Sequence, residues 1–324
     1  MVSVNACAFN IFQKMVAEKE LLDISVEVME NGSTVIDAGV KVKGGFAAGK
    51  YLTELCIAGL GSVTLGSADY DGVELPTIYV HVDRPAIALL GSQFAGWRIS
   101  VGKYFAMGSG PARALALKPK ELYEKIAYKD SCDKAVLVLE SDNLPTVEAL
   151  NYIAQSCGVD QKNLYVAVAP TSSIAGSVQI SGRIVETGLH KLTELGFDPK
   201  KVLYGAGRAP IAPSHPKFAQ AMGRTNDTLL YAGATYFEVA CDTDDEIKEL
   251  VKKAPSSTSP AYGRPFYEIF KEANYDFYKI DPGLFAPALI TVNNVKTGST
   301  ITAGRLNIEV LKKSIGLISE RHHP

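Results

Sequence analysis

The pattern of apolar and polar positions divides the chain into short elements of two kinds. Two runs, KAVLVLES (134–141) and NLYVAVAP (163–170), are apolar at almost every position and read as strands buried on both faces. Helical periodicity follows each of them, in TVEALNYIAQSCGV (146–159) and through the 180s. The spacing predicts a first helix over 5–20, with Ile11, Met15 and Leu21 or Leu22 on one side. ISVEVME and TVIDAGVKV then flank Asn31-Gly32, a strong hairpin signal. Further strands are predicted in TELCIAGLGSVTLGS (53–67), TIYVHVD (77–83) and KVLYGAG (201–207), and one or two in DTLLYAGATYFEVAC (227–241). SGPARALALKPKELYEKI (109–126) and DDEIKELVKKAP (244–255) read as helices. FAPALITVNNVKTGSTITAGRLN (285–307) reads as a closing hairpin before a last helix over 308–318. Strands and helices mix throughout, so the fold class is α/β (mixed α+β) with mixed sheets.

Composition narrows the picture. At 324 residues the chain suits two domains. A boundary in the stretch 140–146 gives an N-terminal domain over 1–145, a C-terminal one over 146–318, and a tail over 319–324. The 33 basic and 35 acidic residues form no like-charged block, which argues against nucleic acid or an anionic membrane as partner. No stretch has the apolar length of a membrane span, and the N-terminal residues lack the pattern of a signal peptide, so a cytoplasmic protein is expected. Five scattered cysteines with no C-x-x-C fit buried free thiols better than disulfides or zinc.

Several familiar signatures are incomplete. GGFAAGKY (44–51) nearly spells a phosphate-binding loop, but Tyr51 stands where a Ser or Thr would hold magnesium, and the segment follows a hairpin. Three G-x-G pairs start a dinucleotide fingerprint and none supplies the third glycine. There is no G-x-S-x-G elbow and no H-E-x-x-H, and His81 in YVHVD suits a strand better than a metal. No metal and no cofactor is therefore expected.

The densest chemistry lies after the second buried strand, in APTSSIAGSVQISGRIVETGLHK (169–191). On a helical wheel over 178–197, Ile184, Val185, Leu189, Leu192 and Leu195 fall on one side. Arg183, Glu186, Thr187, His190 and Glu194 fall on the other. A surface helix with a solvated i,i+3 ion pair is the simple reading. Position favours more, because loops at strand ends gather sites, and 170–176 offers small side chains, hydroxyls and backbone N–H groups. GSQFAGW (91–97), FAMGSGPARA (105–114) and AMGRTND (221–227) have the same character. Each could be a turn; together the four suggest one polar-lined cleft.

At these residues the chain resembles the methenyltetrahydromethanopterin cyclohydrolase family of archaeal and methylotroph one-carbon metabolism. NGSTVIDAGVKVKGG, LGSQFAGW, YFAMGSGPARALA, APTSSIAGSVQISGRIVE, APIAP, AMGRTND, YGRPFYEIF, YDFYKID and LFAPA occur in family order; the tail after about 318 has no such match. The resemblance implies two tightly packed α/β domains with a cleft between them, a homotrimer, and a cofactor-free reaction on a pterin. In it, water adds to the cationic methenyl carbon, a ring C–N bond opens, and the N5-formyl compound results. By position the family's catalytic pair falls on Arg183 and Glu186. One carboxylate can act as base on water and then as acid toward the ring nitrogen. Burial would raise the pKa of Glu186, and Arg183 with the substrate cation would lower it. Ser109, Ser172, Ser173, Gln93, Gln179 and Asn226 are the candidates for holding polar groups of the substrate. Phe285 is the candidate for stacking on a ring, and Arg113 or Arg224 for meeting the anionic tail. Two other functions stand beside this one: a serine-dependent amidohydrolase, which needs a base near Ser172 or Ser173, and a non-catalytic pterin-binding protein.

Overall fold

The computed structural model describes residues 2–317. In chain order the strands are β1 (Ser25–Val28), β2 (Thr34–Asp37), β3 (Gly61–Asp69), β4 (Glu74–Val82), β5 (Trp97–Val101) and β6 (Tyr104–Ser109), then β7 (Ala135–Glu140), β8 (Leu164–Ala169), β9 (Val202–Pro210), β10 (Ala234–Val239), β11 (Leu289–Asn294) and β12 (Ser299–Gly304). The helices are α1 (Val4–Ala17), α2 (Phe46–Cys56), α3 (Arg113–Ala116), α4 (Lys120–Ile126), α5 (Val147–Cys157) and α6 (Ile174–Ser181), then α7 (Ile184–Glu194), α8 (Phe218–Ala232), α9 (Asp245–Lys253), α10 (Phe266–Glu272) and α11 (Ile308–Ile315). A π-helical segment, Ala86–Gln93, precedes β5.

Two six-stranded sheets result, ordered β1-β2-β8-β7-β6-β5 and β12-β11-β10-β9-β4-β3. Both are mixed. β2, β8 and β7 run parallel in the first, and β10 and β11 in the second, with antiparallel partners elsewhere. The two continuous apolar runs are β7 and β8 at the centre of the first sheet. Their alternation explains the pattern: Val136, Val138, Ala167 and Ala169 face one core, and Leu137, Leu139, Val166 and Val168 face another beneath α5. The first of these cores continues through α2, α6 and α7 to Val80, Phe237 and Ile290 of the second sheet. A layer of helices thus joins the sheets. A third core, rich in aromatics, lies under α8, α10 and α11.

The mixed α/β class and both hairpins agree with the sequence reading. Val28 pairs with Thr34 around Gly32, whose φ of +87° needs a glycine, and Asn294 pairs with Ser299. The contiguous division at 145/146 does not follow the sheets. β3 and β4, from the first half, complete the sheet of β9–β12, while β8, from the second half, sits between β2 and β7. Other expectations need correction at particular residues. The expected strand at 53–67 begins as the end of α2; only its second half is β3, because Leu52, Leu55 and Cys56 satisfy a helical face. The helix expected over 109–126 breaks into α3 and α4 at the Lys118–Pro119 peptide, as proline supplies no N–H. The strand expected at 227 is the last turn and a half of α8. GGFAAGKY does open a helix, α2, but Lys50 pairs with Glu54 (2.6 Å) and the Tyr51 hydroxyl donates to Glu18 (2.8 Å). All five thiols are free, with Cys7 and Cys132 half-buried rather than buried. No described helix is long and apolar enough to cross a membrane. Residues 318–324, including the expected tail over 319–324, lie outside the described residues.

Asp227, fully buried on α8, ties this third core together. Both carboxylate oxygens accept from the Phe266 N–H (3.0 and 3.1 Å) at the start of α10, and Ser314 of α11 bonds the same side chain. Burial pushes the carboxyl from its ordinary 3.8 up to about 8. The folded chain therefore holds a proton that the unfolded chain has lost, so this group's contribution to stability falls as pH rises from about 4 to about 8. Asp227→Asn mimics the protonated acid and cannot ionise. Melting temperatures measured between pH 5 and pH 8.5 should show the variant gaining on the wild type with rising pH, and parallel curves would contradict this account.

Candidate active site

The stretch 169–191 is two helices with a break between them. Gly182 ends α6, and a side chain there would stand 2.5–2.7 Å from Thr53 of α2, so the close approach needs a glycine. Arg183 follows in a non-helical conformation (ψ 0°) as the residue capping α7. Its carbonyl accepts from the Thr187 N–H (2.8 Å) and hydroxyl (3.0 Å). The break sends the Arg183 side chain inward, away from the helix surface.

Three acceptors receive the guanidinium. Nη1 donates to the Gln93 carbonyl (2.6 Å), and Nη2 donates to Ser109 Oγ (2.8 Å) and Gln179 Oε1 (3.1 Å). Ser109 in turn donates to the same Gln93 carbonyl (2.7 Å) and lies 3.3 Å from Cys56 Sγ. The Gln93 amide donates to the Gly182 carbonyl (3.0 Å), which ties the π-helical segment to the break. Its Oε1 is buried without a hydrogen-bond partner, an acceptor left open beside the cluster.

Glu186 stands in the first turn of α7, where the free N–H groups and the helix dipole favour a carboxylate. It is only 6% exposed, and among the described residues it has neither a hydrogen bond nor an ion pair. The i,i+3 pair with Arg183 is therefore not a contact: the guanidinium acts on Glu186 through space. Burial raises the Glu186 pKa, opposed by the charges of His190, Arg183 and Arg113. The net shift is upward, so burial outweighs all three. Burial also pushes the neighbouring Cys56 thiol up, which keeps it neutral.

The structure thus gathers Arg183, Glu186, Gln93, Ser109 and Gln179 in one cluster. Arg113 lies near them, but its guanidinium is fully buried. It donates to the carbonyls of Leu90 (3.2 Å), Ser92 (3.0 Å) and Lys118 (2.8 Å), and it lies over the rings of Phe94 and Tyr123. Its Nη2 has no hydrogen-bond partner among the described residues, so one donor of the guanidinium stays open. Ser172 and Ser173 sit at the other end of α6, whose eight residues rise about 12 Å. Ser173 caps α6, accepting from the Gly176 N–H (3.0 Å). Ser177 and Ser181, further along α6, donate to the carbonyls of Ala212 and Pro210 (3.0 Å each). Ser172 alone keeps its hydroxyl free, facing Ser214, His215 and Pro216 across a shallow depression. Arg224 donates to the carbonyls of Pro213 and Ser214 behind that rim (3.3 and 3.2 Å). Asn226 spends its amide on Met222 (2.9 Å) within α8. Phe285, half-buried at the edge of the third core, stacks on Phe277 (5.6 Å) and meets Phe266 edge-on (5.8 Å). Among the described residues no group of three or more His, Cys, Asp or Glu side chains is placed to hold a metal.

The sequence reading missed Phe94 and His190. Their rings stack at 4.6 Å with 16° between planes, one turn along α7 from Glu186. The i,i+4 spacing of Glu186 and His190 was the available signal.

The family model described as "Cyclohydrolase (MCH)" matches residues 3–315. The chain is 52% identical over 317 residues to the methenyltetrahydromethanopterin cyclohydrolase of Methanococcoides burtonii, covering 98% of this chain and 99% of that one. It is 52% identical over 319 residues to the enzyme of that name from Methanocaldococcus jannaschii (98% and 99%) and 52% identical over 320 residues to that from Methanothermobacter marburgensis (98% and 100%).

A buried carboxyl whose pKa is raised in the folded chain costs stability once pH passes its unfolded value, and the cost grows up to the raised folded value. Glu186→Gln removes the ionisation and keeps the shape. The variant should melt higher than the wild type at neutral pH and gain nothing at pH 4. Calorimetric scans at the two pH values test this, and an unchanged or lower melting temperature at neutral pH would contradict it.

Proposed function

The chain belongs to the cyclohydrolase (MCH) family, and from that premise we propose that it interconverts methenyl-tetrahydromethanopterin plus water with the N5-formyl compound. The single observation that carries the chemistry is the buried, unpartnered Glu186 carboxyl beside a guanidinium locked by three acceptors. The methenyl carbon is already an electrophile because the amidinium is cationic. The protein's task is to place water and move protons. Ionised Glu186 takes a proton from water as the oxygen attacks the carbon. The resulting acid returns a proton to the departing ring nitrogen as the C–N bond opens. Arg183 stays in place through both steps, since its donors are spent on protein oxygens, and its charge favours the ionised base. The open Gln93 Oε1 is an acceptor for the water or for a pterin N–H. Ser172 and the rim formed by Ser214 and His215 lie a helix length away, which suits an extended substrate held at both ends.

This reaction calls for no metal and no organic cofactor. An amidohydrolase using Ser172 or Ser173 has less support: Ser173 is engaged as a helix cap, and the buried base lies a helix length off. A pterin carrier without turnover would have no use for a buried carboxyl with a raised pKa. The resemblance also supports a cytoplasmic homotrimer, a closed cyclic assembly.

Addition of the protein to the methenyl substrate should change its near-ultraviolet absorbance, and an unchanged spectrum would leave only the carrier. Glu186→Gln should bind substrate in calorimetry yet lose ~10²–10⁴-fold or more in turnover. Arg183→Ala removes the cation, so the Glu186 pKa rises further. The acid limb of the pH–rate profile for water attack should then move to higher pH. Arg183→Lys should lie between, because it keeps the charge but cannot reach three acceptors at once. A Glu186→Gln enzyme near wild-type rate would place the base elsewhere. Light scattering after size exclusion should report about three chains; an active monomer would refute the assembly.

A further inference from the structure

The reaction leaves a proton to dispose of. Water supplies two. Its oxygen becomes the formyl oxygen, one proton ends on the ring nitrogen when the C–N bond breaks, and the other is surplus. The substrate is a cation and the product is neutral, so charge balance requires one proton to leave the site per turnover and one to enter on reversal. Glu186 holds that proton in a pocket where it is 6% exposed and has no hydrogen-bond partner among the described residues.

We propose that His190 passes this proton between Glu186 and solvent, along the line Glu186–His190–Glu194 on one face of α7. The proposal rests on the cyclohydrolase reading above. The three residues are spaced i, i+4 and i+8, so they stand one above another, about 5–6 Å apart per step at Cβ. Exposure grades outward, from 6% at Glu186 to 31% for the His190 side chain and 65% for Glu194. His190 Nε2 lies 3.7 Å from Glu194 Oε1, at the solvent end. Nδ1 has no hydrogen-bond partner among the described residues, which leaves it open to a water, and His190 acts on Glu186 through space. Stacking on Phe94 at 4.6 Å holds the ring plane. The charged groups around the line are Arg183 and Arg113 at its inner end. At the outer end Lys125 of α4 donates to the Thr193 carbonyl (3.0 Å).

The transfer balances without another reactant. The Glu186 acid gives its proton through one water to Nδ1. The Nε2 proton passes to the Glu194 carboxylate or to water. The imidazole then regains its first tautomer by exchange with solvent, and Glu186 is again an ionised base. An imidazole suits the place because it both accepts and donates near neutral pH.

The test is turnover of the methenyl substrate by wild type, His190→Gln and His190→Tyr in dilute buffer, with imidazole then added in steps. Tyrosine keeps a ring against Phe94, and melting curves check that each variant folds. Both variants should lose on the order of tenfold or more in kcat in dilute buffer, with KM within about twofold of wild type. Imidazole should restore kcat in a saturating manner and leave the wild type unchanged. Variants fully active in dilute buffer, or a loss that imidazole does not restore in a folded variant, would overturn the relay. A wild-type protein that leaves the substrate spectrum unchanged would overturn the cyclohydrolase reading instead, so the two failures are distinguishable.

Discussion

The Arg183 guanidinium, held by the Gln93 carbonyl, Ser109 and Gln179, is the interaction on which the site depends. It draws one acceptor from the π-helical segment, one from the end of β6 and one from α6. Hydrogen bonds from a charged donor contribute about 1.5–3 kcal/mol each, enough to hold three separate elements in register. The cost of burying that cation is offset because every acceptor is already ordered by its own element. Ser109 donates to Gln93 and Gln93 to Gly182, so two of the three acceptors are tied to each other and to the break before α7. Glu186 benefits without touching it: a fixed positive charge nearby keeps a buried carboxyl within reach of ionisation.

Much of this was legible in the sequence. The continuous apolar runs of β7 and β8 and the turn at Gly32 were readable because each rests on a local pattern, and the long motifs carried the family. What was not readable depended on distance through space. The wheel over 178–197 placed Arg183 and Glu186 on a polar, solvated face. At Arg183 and Glu186 that face is buried, because the π-helical segment packs on α7 and covers it, while Glu194 at its far end stays exposed. The hydroxyls of Ser177 and Ser181 are taken by the carbonyls of Ala212, just after β9, and Pro210, its last residue, about thirty positions away in the chain. Arg113 and Phe285 had the right chemistry for a substrate, and neighbours unknown from sequence engage part of each: carbonyls accept from Nε and Nη1 of Arg113, and aromatic rings pack on one side of a half-buried Phe285. Asp227 lay in a motif that suggested a cleft and instead closes a helix junction.

Glycine explains how such a site fits between two sheets. At Gly182 the backbone of the break presses on Thr53, and at Gly49 a side chain would stand 2.4 Å from Val178, so α2 and α6 are nearly in backbone contact. The layer of helices is thin enough that residues of both sheets share one core through it. Close packing of this kind allows few arrangements, and the cluster around Arg183 inherits its rigidity.

The interleaving of strands between the sheets has a consequence for how the chain is made. β3 and β4 emerge from the ribosome long before β9, their hydrogen-bonding neighbour in the finished sheet, and β2 waits in the same way for β8. During synthesis each leaves an open strand edge, a template for the wrong partner. The first sheet has all its strands once β8 ends at Ala169, about halfway along the chain, whereas β3 and β4 wait at one edge of the second until β9 follows. Completion of the second sheet is therefore a late event, and protection of those waiting edges in the growing polypeptide becomes part of the protein's biology.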